Sequence, residues 1–200
     1  MLTLMVLPAV IGLIIVARPN VALSLTRLRG KWLIVLAAAL QFVHYRGWWP
    51  DQLSESVERR VYAVFVVAVA LGFCWFNRSL VSRPLGRWAL VLIPLGTSSN
   101  SLPIAVLGAM PYSIPGARIA GYSSAELATD APGYIRLDAV SPLWTPVADI
   151  IPIPILMKVL SLGDVFLFVG LVLLVVACCR PTPAGHLDTA VRGSRVQSSA

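Results

Sequence analysis

The sequence predicts an all-α membrane protein, a bundle of about five transmembrane helices, and three observations lead to this prediction. First, the 200 residues are 58% hydrophobic and only 12% charged, whereas soluble domains average roughly 45–50% apolar and about 25% charged residues. Second, the apolar residues are gathered in five long segments. Third, basic residues are concentrated in alternate connections between these segments. We therefore expect a single integral membrane domain over residues 1–180.

The five apolar segments define the predicted spans. They cover residues 1–17, 32–49, 61–76, 88–110 and 159–179. Each is close to the roughly 17–25 residues that a helix needs to cross a hydrocarbon layer of about 30 Å. The first segment lacks the basic start of a signal peptide, so we interpret it as a retained span.

The charges of the connections predict the orientation. Those after the first and third spans carry basic residues and no acidic ones: Arg18, Arg27, Arg29, Lys31, Arg78, Arg83 and Arg87. The positive-inside rule then predicts a multi-pass protein of the cell membrane, with its N-terminus outside and its C-terminus in the cytoplasm. Residues 181–200 are expected to form a disordered cytoplasmic tail. Because the basic residues are scattered singly, the net charge of +7 does not predict a nucleic-acid partner.

The connection before the last span is long and rich in proline. Its apolar second part, residues 143–157, is interrupted by Pro146, Pro152 and Pro154, which prevent a regular spanning helix. Irregular backbone is not tolerated in contact with lipid. We therefore expect a proline-rich, partly re-entrant or interfacial segment on the extracytoplasmic side. The expected partners are the lipid bilayer and, at the outer face, another membrane protein or a lipid ligand.

The fourth span carries a group of polar residues between Pro94 and Pro103, among them Ser98 and Asn100. Hydroxyl and amide side chains can satisfy the carbonyl groups that prolines leave free, and an amide at mid-span can bond to a neighbouring helix. We interpret Ser98 and Asn100 as part of a structural polar site. The alternative is that they line a pathway through the membrane.

The last span begins with the sequence Ser-Leu-Gly-Asp, from Ser161 to Asp164. This spacing is typical of a capping box, in which serine caps the helix and the acid is its third residue. A carboxylate there also faces the positive end of the helix dipole. The pattern predicts a structural role for Ser161 and Asp164. Catalysis by Asp164 and a place on a pathway are the alternatives.

Metal ligands and cofactors are not predicted. Cys178, Cys179 and His186 lie near one another in the sequence, but a fourth ligand and a recognised ligand spacing are missing. Small apolar residues at a helix end are the simpler interpretation of the cysteines.

Three stretches resemble a bacterial integral-membrane family of unknown function, numbered 5317. They are "LRGKWLIVLAAALQ", "NSLPIAVLGAMPYS" and "VADIIPIPILMKVLSLGDVFLFVG". The resemblance covers most of the chain up to Gly170. It implies the membrane architecture and no particular activity. Members of this family have Asn-Gly-Gly before the Met-Pro that follows the fourth span, where this chain has Leu-Gly-Ala.

The last span is also weakly similar to that of lipoprotein signal peptidase, a membrane aspartyl peptidase. The residues that fit its spacing are Ser161, Gly163, Asp164, Leu167 and Gly170. The similarity implies a second carboxylate that shares a proton with the first. The stretch "GAMPYS", where that second acid would lie, contains none, so Asp149 is the candidate.

Three hypotheses for the function follow. The first is a non-catalytic accessory or assembly factor that presents an ordered extracytoplasmic surface. The second is an aspartyl peptidase using Asp149 and Asp164. The third is a small transporter, which the lack of an internal repeat disfavours.

Overall fold

The computed structural model describes residues 28–46, 54–128 and 131–179. This part of the chain is mostly helical, as predicted. Its α-helices are α1 (Lys31–Arg46), α2 (Glu55–Phe76), α3 (Pro84–Leu107), α4 (Ile114–Ile119) and α5 (Leu162–Cys179). The predicted span 1–17 and the predicted tail 181–200 lie outside the described residues.

The other four predicted spans each coincide with a helix, with shifted ends. Helix α2 begins six residues before the predicted start, because Glu55 and Glu58 in its first turn favour a helix N-terminus. Helix α3 begins at Pro84 and is ended by Gly108, whose φ of 76° gives the left-handed conformation of a helix C-terminus. By length and composition alone, α2 and α3 could cross a membrane, a test that core helices of soluble proteins also pass. Helix α5 is apolar but shorter.

Helix α3 lies at the centre of the packing, against α5 on one side and α2 on another, and α1 packs against α2. Two glycines allow the close approach of α3 and α5. A Cβ atom added to Gly96 would lie 2.5 Å from the carbonyl oxygen of Gly163, and one added to Gly163 would collide with Asn100. Small residues at such crossings are typical of helix pairs in membranes.

At the end of the helices opposite Gly108, polar side chains form hydrogen bonds with the backbone of other segments. The side chain of Asn77 accepts a hydrogen bond from the backbone N–H of Arg29 (2.9 Å) and donates one to the carbonyl oxygen of Arg29 (2.8 Å). The guanidinium group of Arg83 donates to the carbonyl oxygen of Ala177 near the end of α5 (2.7 Å). These bonds satisfy backbone groups that helix ends leave unpaired.

At the other end, residues 108–128 and 131–161 form a small structure that we call the cap. It contains four short strands, β1 (Met110–Tyr112), β2 (Tyr134–Arg136), β3 (Ile151–Ile153) and β4 (Lys158–Leu160). β1 pairs in parallel with β2, and β3 pairs antiparallel with β4. A bridge between Tyr112 and Asp149 links the two pairs.

The strands correct the prediction of an all-α fold. The many prolines of the cap leave no long helix among its described residues, as expected, and the extended backbone must then find hydrogen-bond partners of its own. Short strand pairs provide these partners, together with 3₁₀ turns at Leu137–Ala139, Pro142–Val147 and Pro154–Leu156. Within the described residues of the cap, α4 is the only α-helix, and the side chain of Ser113 accepts a hydrogen bond from a backbone N–H at its N-terminus.

Candidate functional site

Three polar side chains form a cluster where α3 meets the start of α5, and we call it the α3–α5 cluster. Its members are Asn100, Ser161 and Asp164. The amide nitrogen of Asn100 donates to Oδ1 of Asp164 (2.8 Å), and the hydroxyl group of Ser161 lies 2.6 Å from Oδ1 of Asn100. Ser161 is fully buried and Asp164 is 7% exposed. Asn100 is half-buried, so only the Ser161 and Asp164 side of the cluster is closed to solvent.

Ser161 and Asp164 also bond to each other as the two ends of a capping box do. The backbone N–H of Asp164 donates to the hydroxyl oxygen of Ser161 (3.0 Å), and the backbone N–H of Ser161 donates to Oδ2 of Asp164 (3.1 Å). Both bonds satisfy donors that the start of α5 leaves without a helical partner. In this geometry, Asp164 takes the part of the acidic residue of a capping box at the start of α5.

Ser98 does not belong to these contacts. It is half-buried on α3. It lies two residues before Asn100, so an advance of about 100° per residue directs it away from the face that carries Asn100. Its neighbour Thr97 donates to the carbonyl oxygen of Ile93 (2.8 Å). That carbonyl is not the one that Pro94 leaves free, because the N–H that Pro94 lacks would bond to the carbonyl oxygen four residues earlier, that of Leu90.

Asp149 lies in the cap and is held through its backbone. Its N–H donates to the carbonyl oxygen of Pro111 (2.9 Å), and its own carbonyl oxygen accepts from the N–H of Ser113 (2.8 Å). The residue is 8% exposed. These backbone bonds hold Asp149 in place, and the residue borders a space within the cap.

That space is a cavity of about 250 Å³ in the cap. The residues that line it are Tyr112, Ala117, Tyr122, Glu126, Leu127, Ala131, Tyr134, Asp149, Lys158 and Val159. The rings of Tyr112 and Tyr134 meet edge to face, with centroids 6.2 Å apart. The cavity thus combines aromatic walls with a buried carboxyl group, a composition typical of ligand sites.

The burial of the cavity changes the acidity of its walls. Burial, reinforced by the negative charge of Asp164, raises the pKa of Asp149 to about 7. Burial, with a smaller effect of the Asp149 charge, raises the pKa of Tyr134 to about 12. At the exposed edge, hydrogen bonds from the side chain and backbone of Ser123 lower the pKa of Glu126. Near neutral pH, Asp149 is thus partly protonated while Tyr134 keeps its proton.

Asp149 and Asp164 are near enough for their charges to interact. The peptidase hypothesis requires these two carboxyl groups to lie close together. Their surroundings nevertheless differ. Hydrogen bonds from Asn100 and Ser161 reach both carboxylate oxygens of Asp164, whereas Asp149 contributes to the cavity wall.

Within residues 28–46, 54–128 and 131–179, no three His, Cys, Asp or Glu residues are grouped closely enough to bind a metal ion. Neither Cys74 nor Cys178 forms a disulfide. His186 and the side chain of Cys179 lie outside what the structure describes.

The cavity was not predicted from the sequence. Its three tyrosines lie ten or more positions apart, and Lys158 is further still. The sequence signal that could have indicated the cavity was the presence of several tyrosines in a connection outside the apolar segments. A tyrosine ring with its hydroxyl group favours a partly polar site.

The described structure is mostly helical, with two apolar helices of spanning length and a strand-containing cap that encloses a cavity. The chain belongs to a family of unknown function (DUF5317), whose model matches residues 25–176. This confirms the predicted family, and the match includes the cap and nearly all of α5. No curated protein and no solved structure matches the chain. The similarity to lipoprotein signal peptidase stays a prediction.

Proposed function

We propose that the protein is a multi-pass membrane protein without catalytic activity, which holds the cap on the extracytoplasmic side as a surface for a membrane protein or lipid partner. One observation carries the proposal. The two long helices expose their apolar side chains instead of burying them: only 17% of the apolar window of α2 and 33% of that of α3 are buried.

The exposed side chains form a stripe on each helix. On α2 they are Val57, Val61, Val64, Leu71 and Trp75, and on α3 they are Trp88, Val91, Leu95, Leu102 and Val106. The spacing of three, four or seven residues places each set along one face of its helix. Water disfavours such long apolar stripes, and lipid is the solvent that accepts them. The stripes support a position of α2 and α3 in lipid.

The charges support the proposed orientation. Arg78, Arg83 and Arg87 lie in or beside the connection between α2 and α3, at the end opposite the cap. With basic residues facing the cytoplasm, the cap faces outward.

Two arginines at the start of α2 bond to the end of α3 and to Gly108, the first residue of the cap. Arg59 donates to the carbonyl oxygen of Gly108 (2.9 Å), and Arg60 donates to that of Val106 (3.3 Å). These bonds support an ordered surface at the outer end of α3. Such a surface suits a binding role, because a fixed arrangement loses less conformational entropy when a partner binds.

The cap also carries an apolar projection, which supports an interfacial position of the proline-rich segment. At the tip of the β3–β4 pair, Ile155 is 95% exposed, and Leu156 and Met157 are about half exposed. The tip lies only a few residues before α5 begins at Leu162. Because β4 leads directly into that proposed span, the tip is close enough in the chain to contact the outer leaflet.

Thiol labelling in whole cells tests the topology. Ser123→Cys and Ala128→Cys, in a chain lacking the native cysteines, are expected to react with a membrane-impermeant reagent. Ser82→Cys is expected to react only after the membrane is opened. All three positions are exposed, so the comparison reports the side of the membrane and not burial. Labelling of Ser82→Cys alone in intact cells would contradict the proposal.

An aspartyl hydrolase is the second candidate, favoured by the raised pKa of Asp149 beside a second carboxyl group. Pairs of acids whose pKa values are pushed apart are typical of general acid–base sites. The bonds of Asp164 within the α3–α5 cluster argue for a structural role instead. Replacing each acid by asparagine distinguishes the two functions, because an asparagine cannot exchange the proton.

A further inference from the structure

The cap cavity presents charges of both signs, but its acids exceed its bases. Asp149 lies in its wall, Glu126 lies at an exposed position, and Lys158 is the exposed base. The buried charge-bearing group among the described lining residues is Asp149, an acid. A ligand that reaches the buried part of the cavity therefore meets a carboxyl group and not an ammonium or guanidinium group.

Tyr112, Tyr122 and Tyr134 provide the aromatic part of the walls. Aromatic faces attract organic cations through their quadrupole, and the attraction increases when water is excluded. A carboxylate beside several aromatic rings is a chemical combination that favours an ammonium group over a neutral or anionic one.

We propose that the cap cavity binds the ammonium group of a small organic amine, either free in solution or carried as a lipid headgroup. The volume of about 250 Å³ is slightly below the range of roughly 300–1,000 Å³ typical of small-molecule sites. It suits a group of the size of ethanolamine or choline. The inference rests on the proposed binding role and names the ligand chemistry of that surface.

The proposal includes a dependence on pH, because a proton and an ammonium group compete for the same carboxylate. The titratable groups around Asp149 are Tyr112 on β1, Tyr134 on β2, Tyr122 and Glu126 after α4, Lys158 on β4 and Asp164 on α5. With its pKa near 7, Asp149 loses its proton as the pH rises through neutrality. Ammonium binding is therefore tighter at about pH 8 than at about pH 6.

Calorimetry on the full chain in nanodiscs of phosphatidylglycerol tests the ligand class. Ethanolamine and choline are titrated, and 3,3-dimethylbutan-1-ol, the uncharged isostere of choline, is the control ligand. We expect at least one of the amines to bind about tenfold or more tightly than the neutral alcohol. Equal binding of all three, or no measurable binding of either amine, would overturn the proposal without the need for any variant.

Variants then locate the binding. Asp149→Asn keeps the shape of the side chain and is expected to weaken amine binding about tenfold. Tyr134→Leu removes a ring and is expected to weaken it several-fold, whereas Tyr134→Phe retains the ring and most of the affinity. Asp138→Asn removes a cap acid that is 65% exposed and paired with Arg136, and serves as the matched control with unchanged binding. Unchanged affinity in both Asp149→Asn and Tyr134→Leu would exclude this cavity.

A second set of nanodiscs distinguishes the two sources of the amine. If the ligand is a lipid headgroup, adding phosphatidylethanolamine to the discs lowers the apparent affinity for free ethanolamine by competition. If the ligand is free in solution, the affinity is the same in both discs. Calorimetry with purified protein does not depend on sidedness, so a reversed labelling pattern would contradict the topology alone. Absent amine binding would leave that topology standing.

Discussion

Asp149 and Asp164 are buried to almost the same extent, 8% and 7% exposed, yet the structure surrounds them differently. Asp164 lies at a crossing of two helices, where an amide, a hydroxyl and a backbone N–H approach its oxygens. Asp149 is held by its backbone and contributes its side chain to a cavity wall. Burial alone therefore does not identify a functional acid. The hydrogen-bond partners of the carboxyl group distinguish the two acids. They favour Asp149 in the cap, and not Asp164 in the last apolar segment, as the acid that a ligand meets.

The crossing of α3 and α5 leaves no room for a side chain at Gly163, and Gly163→Ala tests this with the largest expected effect. The added methyl group would collide with Asn100 and lie 2.8 Å from the carbonyl oxygen of Gly96. Separating α3 from α5 would also break the cluster, so we expect a loss of roughly 3 kcal/mol or more in the free energy of unfolding. Thermal unfolding in detergent measures this effect.

Gly72→Ala is the matched control for this change. A methyl group there meets only Cδ1 of Leu33, at 3.5 Å, an ordinary contact. Alanine also favours a helix over glycine by roughly 0.5–1 kcal/mol, so the control is expected to be neutral or stabilising. Equal stability of the two variants would show that α3 and α5 do not approach as closely as the structure describes.

The second prediction concerns Asp164, with a smaller expected effect. Asp164→Leu leaves the amide of Asn100 and the N–H of Ser161 buried without this partner, which costs about 1–3 kcal/mol. Asp164→Asn keeps one acceptor oxygen, turns an NH2 donor toward Asn100 or Ser161, and loses the interaction of the charge with the helix dipole, about 0.3–1 kcal/mol. We expect its total cost to lie between that value and the cost of Asp164→Leu. Membrane abundance and thermal stability measure both, and Asp164→Asn is expected to complement a deletion strain.

Complementation also separates the structural role from catalysis. If Asp164 and Asp149 are a catalytic pair, both asparagine variants accumulate normally and neither complements. Full complementation by Asp164→Asn contradicts the hydrolase, and normal abundance without complementation in both variants contradicts a purely structural Asp164.

The contrast between the two acids also shows which features of the structure can be predicted from the sequence. The helices and the Ser161–Asp164 box depend on residues close together in the chain, so run length and spacing predict them. Asn100 is 64 positions from Asp164, and its bond depends on how two helices cross. The strands depend on distant backbone segments that pair, as Met110 does with Tyr134. A single sequence carries no local signal for such pairs, so the strands and the cavity appeared only in the structure.

The last prediction concerns the proton of Asp149. Its pKa is raised from 3.8 to about 7 in the folded protein, so between these values the folded state retains a proton that the unfolded state has lost. Stability from this group is therefore fully present below about pH 4 and is lost as the pH rises through 7. Asp149→Asn cannot titrate. We measure the melting temperature of both proteins from about pH 4 to pH 8 and take their difference, which cancels the contributions of the other titrating groups. The wild type is expected to lose stability relative to the variant as the pH rises, with most of the change complete near pH 7. A difference that stays constant over this range would mean that Asp149 is ionised like an exposed acid, and that the cavity does not shield it. Repeating the series with a saturating amine sharpens the comparison, because a bound ammonium group stabilises the carboxylate and is expected to move the change to lower pH.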